Sequence, residues 1–417
     1  MADIVIKNGR ILTCKSKGPK CGKNMQDLGV IDRGYVAVEN GKIMSVGDGD
    51  GCEFIDAHTE VIDASHKTVM PGLVDPHTHL VYYGSRENEI GLKLKGVPYI
   101  EILNRGGGIL STVRSTRAAS YGQLKEKLLR SLDLMLLWGT TTVEAKSGYG
   151  LNFPDEVKSL EVLRDAGHPV DIVRTYLGAH AVPPEYKDDR EGYISLMIDK
   201  VIPYVAENNL AEFIDCFCEE GVFSLVESER ILSCGKKAGL KVKIHADEIE
   251  PMGGASLAAK LGAVSAEHLV AASNEEIDDM KNAGVIPVLL PGTSFYLRMG
   301  KYARGRYMID NGLPVALATD CNPGTCPTES LQGIMVFASM GMGLTPEEVI
   351  NAMTINSSCA ISRGDVCGSL ENGKKADILI MNAPNENYLI YHFGINHVET
   401  VIKNGKIAVK NGMLCYK

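Results

Sequence analysis

The sequence predicts a (β/α)8 TIM-type barrel that carries a small β-sandwich domain assembled from both chain termini. Three observations lead there. Between residues 70 and 364, eight short apolar stretches alternate with stretches of helical periodicity, which is the element order of a parallel barrel. Both ends of the chain consist instead of short alternating stretches punctuated by Asn-Gly pairs. No Gly-x-Gly-x-x-Gly follows the first of the eight strands, since Gly106-Gly107-Gly108 lies deep in a loop, and this disfavours an open dinucleotide-binding sheet.

In the N-terminal part, residues 1–69, Lys7-Asn8-Gly9, Glu39-Asn40-Gly41 and the glycine-rich run at 47–51 read as hairpin turns. The C-terminal part, residues 365–417, repeats the pattern: Val401–Lys406 resembles Val5–Arg10, and Lys410-Asn411-Gly412 adds a turn. A hairpin alone is not stable in water, so the two ends are expected to complete one sheet system. In the barrel region the expected strands are Val69–Pro76, Thr141–Lys146, Asp171–Leu177, Ala211–Phe217, Lys241–His245, Ala263–His268, Val285–Leu290 and Val315–Thr319. Helices are expected over Tyr121–Trp138, Pro154–Ala166, Tyr193–Asn208 and Ser224–Ala238.

Composition narrows the function. The 417 residues are 45% apolar and 23% charged, an ordinary globular mixture that suits one large domain and a smaller one. A formal net charge of -9 without a basic cluster argues against nucleic acid as a partner. No apolar run reaches the ~18 residues of a membrane span. The chain opens directly on the strand-like Asp3–Ile6 with no signal peptide, so its eleven cysteines are expected to be reduced thiols in the cytoplasm, with Cys216, Cys218, Cys321 and Cys326 read as buried free thiols. A homodimer is the expected assembly, because dimers are the commonest symmetric oligomers.

The chemistry gathers at strand ends, where a barrel keeps its active site. His77 and His79 are two residues apart on an extended backbone, so both imidazoles face the same side, and Pro76 is expected to end their strand. Such a pair is half of a metal site. The other strand ends supply Glu144 with Lys146, then His180, His245, His268 and Asp320. Five of the ten histidines fall at these ends; His58, His66, His168, His392 and His397 are read as structural. Three imidazoles with one carboxylate make a catalytic divalent site that keeps a position open for water. Glu248, three residues after His245, is a candidate proton shuttle.

Taken together, Pro71–His79, His245, His268 and Asp320 resemble the amidohydrolase superfamily of metal-dependent barrels in order and placement. The resemblance implies that His77, His79, His245 and Asp320 hold the metal. Binuclear members carry a carbamylated lysine on the fourth strand; Ala211–Cys218 has none, which implies one divalent ion, Zn or Fe. The stretches Gly84–Glu89, Gly106–Arg114, Val143–Gly150, Leu177–Pro183, Lys243–Glu248 and Ala318–Thr325 look like the branch that opens 4-imidazolone-5-propanoate in histidine breakdown. That likeness implies Arg86 as a clamp for the propionate and Tyr149 as its hydrogen-bonding neighbour. It places His180 on the ring carbonyl, Glu248 on the ring nitrogen, His268 on the water, and Asn322, Gly324 and Thr325 along the site wall. Cys321 departs from the bulkier residue common there. A deaminase of the same superfamily is the nearest rival reading, and a barrel that binds without catalysis is the rival from another class.

Overall fold

Eight parallel strands occupy the central region and neighbour one another in chain order. They span Leu73–Thr78, Thr140–Lys146, Asp171–Ala179, Phe213–Cys218, Lys241–Ala246, Ser265–His268, Ile286–Leu289 and Ala316–Leu317. The computed structural model describes residues 1–97, 101 and 106–416. Each strand overlaps an expected one. Helices cover the outside of such a barrel, so its strands are buried on both faces, as Thr140–Lys146 is along its whole length.

The barrel closes between the first strand and the segment after the eighth. Asp320 N donates to His77 O at 3.1 Å, and His79 N donates to Cys321 O at 3.0 Å. Below them a side chain completes the seam: Asp75 accepts Thr319 N at 3.1 Å and Thr319 Oγ1 at 2.6 Å. Three of the expected site residues therefore lie on one seam. The expectation that Pro76 ends the strand is corrected, because the strand runs on to Thr78. Pro76 sits where the register with the second strand breaks between Asp75 and Thr78, so its missing N–H costs no ladder bond.

Capping boxes start the helices Tyr121–Leu137, Leu225–Lys237 and Asn274–Ala283, with Ser120/Gln123, Ser224/Glu227 and Ser273/Glu276 as the reciprocal pairs. The single helix expected over Tyr193–Asn208 is broken into Arg190–Leu196, a π-helical turn Met197–Val201, and Ile202–Glu207. Pro203 supplies the reason: it has no N–H for the carbonyl four residues back, and its ring crowds that carbonyl.

The termini build one nine-stranded mixed sheet. The Asn40-Gly41 turn meets the segment that leads into Ile378–Met381, with Ala376 N donating to Gly41 O and Ile43 N to Lys374 O, both at 2.9 Å. Ile6, Val36 and Val38 from one terminus and Ile378, Ile380 and Ile402 from the other share one buried cluster, so the expected sandwich is realised as one mixed sheet with a common core. Thr68–Pro71 lies across the expected 69/70 division and pairs with Ile378–Met381 of this sheet. Asn40-Gly41, Asn404-Gly405 and Asn411-Gly412 make hairpin turns with positive φ at both residues. Asn8-Gly9 does not. It lies inside the strand Ile4–Leu12 as a bulge, where Val69 Cγ2 occupies the place of a Gly9 side chain. All eleven cysteines are free. Among the described residues no helix is long and apolar enough to cross a membrane.

Candidate active site

At the closing seam the three expected imidazoles come together. The His77 ring lies 5.2 Å from His79 and 4.5 Å from His245, centre to centre, and the three residues present ligand nitrogens within 4.8 Å of one another. Asp320 Oδ1 stands 3.6 Å from His77 Nε2 and 3.4 Å from His79 Nε2. Its other oxygen accepts Thr293 Oγ1 at 2.6 Å, which fixes the carboxylate plane.

These residues fit a metal ion. Both ring nitrogens of His77 and Nδ1 of His79 are buried without a hydrogen-bond partner. Burial, reinforced by the positive Lys146 and the neighbouring His245, holds both imidazoles well below their ordinary pKa, so their lone pairs are available. A buried polar atom left unpaired costs about 1–3 kcal/mol, and coordination to a cation removes that cost. The third imidazole is oriented from behind: Asp215 Oδ2 lies 3.0 Å from His245 Nδ1, directing Nε2 at the cluster. Asp215 Oδ1 also accepts the backbone N–H of Cys216 at 2.7 Å and of His245 at 3.1 Å. Sequence reading passed over Asp215; its one signal was a lone acid within the apolar strand Phe213–Cys218.

Glu248 and His268 face each other, with Oε2 and Nε2 3.5 Å apart. Burial first, then the charges of Asp320 and Glu219, push the Glu248 carboxyl up to about 8, so it carries its proton at neutral pH. Burial pushes His268 down to about 3 and keeps it neutral. Glu219, at the end of the fourth strand, accepts the backbone N–H of Ile249 at 3.0 Å and of Glu250 at 3.2 Å, holding the chain just beyond Glu248. Asp247, His268 and Asp320 all have positive φ, at 52°, 73° and 55°. Such conformations cost about 1–3 kcal/mol each and gather at functional sites.

His180 joins the cluster, stacked on His79 at 5.0 Å. His180 Nδ1 is 2.9 Å from Gly148 O, and a carbonyl only accepts, so Nδ1 bears the hydrogen. Burial, with His79 and His245 beside it, holds the ring well below its ordinary pKa, the state in which Nε2 is an acceptor. Gly148 has φ 113°, and a side chain there would stand 2.8 Å from Leu177 O and 3.0 Å from His180 Nδ1. Glu156 fixes this loop by accepting the N–H groups of Gly148, Gly150 and Leu151 at 3.1, 2.8 and 2.9 Å. Tyr149 is buried on the same loop, 5.2 Å from His180 and 6.1 Å from both His79 and Tyr82.

Arg86 is buried and paired with Glu89, Nε to Oε1 at 3.0 Å and Nη2 to Oε2 at 2.9 Å. The bidentate fork expected for a ligand carboxylate is thus committed to Glu89, and Nη1 rests against Gly324. Lys93 ties this loop to the far side by donating to Gly324 O at 2.7 Å. The Asn322 side chain is spent on its own turn. It donates to Asp320 O and Thr325 Oγ1, both at 2.7 Å, and accepts from Gly324 N and Thr325 N at 2.8 and 2.7 Å. These bonds fix the turn on the site wall where Asn322 was expected.

Comparison with known proteins fits this geometry. The model of the Amidohydrolase family matches residues 233–408. The imidazolonepropionase of Alkaliphilus metalliredigens (strain QYMF) is 54% identical over 418 residues, covering 99% of each chain. The imidazolonepropionase of Geobacillus thermodenitrificans (strain NG80-2) is 54% identical over 425 residues, covering both chains completely. Among solved structures, a 5-methylcytosine deaminase from Klebsiella pneumoniae matches with TM-score 0.74 at 17% identity, over 99% of this chain and 100% of that one. An adenosine deaminase from Xanthomonas campestris with bound zinc matches with TM-score 0.69 at 18% identity, over 100% of this chain and 95% of that one. The deaminases share the fold, while the full-length relatives at 54% identity set the family. This chain belongs to the imidazolonepropionase family of amidohydrolases.

Proposed function

We propose that this chain hydrolyses the ring C–N amide bond of 4-imidazolone-5-propanoate to N-formimino-L-glutamate, in histidine degradation. The observation that carries this reading is 54% identity along the whole chain to relatives bearing that activity in their name. His77, His79, His245 and Asp320 would hold one divalent ion, Zn or Fe. Such an ion, when bound, supplies an acidified water and polarises the carbonyl.

The chain's own residues do the rest. Water adds to the ring carbonyl carbon, its proton passes to Asp320, and His268 orients it. The ring C–N bond then breaks, and Glu248, protonated at neutral pH, gives its proton to the departing nitrogen. His180 Nε2 accepts from a ring N–H. Tyr149 and Arg86 receive the propionate. Thr325 steadies Asp320, its Oγ1 lying 3.5 Å from Asp320 Oδ2.

Free thiols suit the reducing cytoplasm, and a homodimer is the assembly we assign. Mass spectrometry of the product tests the reaction. One formiminoglutamate per imidazolone consumed, without ammonia, is the expected result; an imidazolone left intact together with ammonia release from an aminopurine or aminopyrimidine would replace hydrolysis by deamination.

A further inference from the structure

One charge inside the site has no part in this mechanism. Lys146 ends the second barrel strand with its side chain wholly buried, and its Nζ lies 2.8 Å from Glu144 Oε1 and 2.9 Å from Asp215 Oδ2. Glu267 stands close by, its ligand oxygen within 4.8 Å of one from Asp215, and is itself paired with Lys243 at 3.0 Å. Three buried carboxylates thus surround or adjoin two ammonium groups, directly beneath the imidazole cluster.

Both partners of Lys146 reach the metal-binding strands. Asp215 lies 3.0 Å from His245 Nδ1. Glu144 accepts from the backbone N–H of Thr78, the residue between His77 and His79, at 3.4 Å, and its own carbonyl accepts Thr78 Oγ1 at 2.7 Å. Thr175 Oγ1 also donates to Glu144 Oε1. One ammonium therefore joins two carboxylates that brace opposite sides of the cluster.

We propose that the Lys146 ammonium is the resident second cation of this centre: it fills the cradle made by Glu144 and Asp215 and so limits the site to a single divalent ion. The inference rests on reading His77, His79, His245 and Asp320 as a metal centre. Carboxylate oxygens that accept an ammonium at hydrogen-bond distance are the same atoms a divalent ion would take at about 2.0–2.2 Å, so the two cations exclude each other. A buried carboxylate stripped of its partner is strongly destabilised, and a second divalent ion is the available replacement charge. Lys146 is a positioning residue here. It touches neither substrate nor the reacting atoms.

Manganese counting tests this, because carboxylates take manganese readily whereas the eleven thiols prefer softer ions. Protein loaded with one zinc per chain is dialysed against manganese, desalted, and both metals are counted. Wild type and Lys146→Arg should keep one zinc and take no manganese. Lys146→Met, with similar length and no charge, should keep the zinc and take one manganese, and adding Glu144→Gln should expel it. A wild type that retains no zinc defeats the metal-centre reading itself. A zinc-loaded, folded Lys146→Met that takes no manganese, or a wild type that takes one, overturns this inference alone. If Lys146→Met does not fold, Lys146→Gln, uncharged but still able to donate to a carboxylate, replaces it; it should take one manganese, and it overturns the proposal if it takes none.

Discussion

Replacing Asp215 by Asn exchanges one oxygen for an NH2 group and should weaken His245 as a metal ligand, although Asp215 itself does not hold the metal. Oδ1 can still accept the N–H groups of Cys216 and His245 at 2.7 and 3.1 Å. The second oxygen becomes an NH2 group that faces His245 Nδ1 at 3.0 Å and Lys146 Nζ at 2.9 Å. An amide donor there forces Nδ1 to become the acceptor, which moves the ring hydrogen to Nε2, the nitrogen aimed at the cluster. It also sets a donor against an ammonium. Loss of such a partner typically lowers metal affinity by about 10–100-fold, which is about 1.4–2.7 kcal/mol. Competition against a fluorescent chelator measures it, with circular dichroism confirming the fold. A folded Asp215→Asn that holds metal as tightly as wild type would refute the account of how His245 is oriented.

Three further outcomes follow from the geometry. Glu248 is held protonated up to about 8, against 4.5 in an unfolded chain. Its contribution to stability is therefore full below about pH 4.5 and lost as pH rises to about 8, at about 1.4 kcal/mol per unit. In chelator, Glu248→Gln should thus gain on wild type across that window in urea melts while losing turnover; parallel stability curves would contradict it. Glu156→Ala strands three buried N–H groups that now share one oxygen. Unfolding free energy should drop by about 3 kcal/mol, with kcat falling as the Tyr149 loop loosens; an unchanged melt would count against that loop account. In Gly324→Ala the new Cβ would lie 2.2 Å from Arg86 Nη1, closer than any contact allows, so the guanidinium must shift. Steady-state kinetics should show KM raised about tenfold with little change in melting temperature, and a normal KM would remove Arg86 from the substrate pocket.

The parts of the site that sequence reading reached are those with a local signature. His77 and His79 share a face by strand geometry, and His245, His268 and Asp320 each close an apolar stretch, where a barrel places its chemistry. What escaped was support from a distance. Glu219 serves backbone groups 30 and 31 residues away, and Asp75 serves Thr319 across 244 residues of chain, pairings that exist only once the barrel has closed. Asn8-Gly9 shows the limit of turn signals, since Asn-Gly supplies positive φ to a bulge as readily as to a hairpin. Arg86 was found by its residue type, and an ion pair with Glu89 three residues on is legible in the sequence; what the sequence does not announce is that the pair is buried.

The most direct test of the central claim is ring opening by wild type and Arg86→Ala, each metal-loaded, followed by the loss of ultraviolet absorbance. It is run on 4-imidazolone-5-propanoate and on the same ring without its propionate. The account predicts fast turnover of the propanoate by wild type, a fall of about 100-fold or more in kcat/KM for Arg86→Ala, worth about 2.7 kcal/mol, and equally slow rates for both proteins on the bare ring. Wild type that leaves the propanoate intact, or Arg86→Ala that opens it at the wild-type rate, would contradict the account.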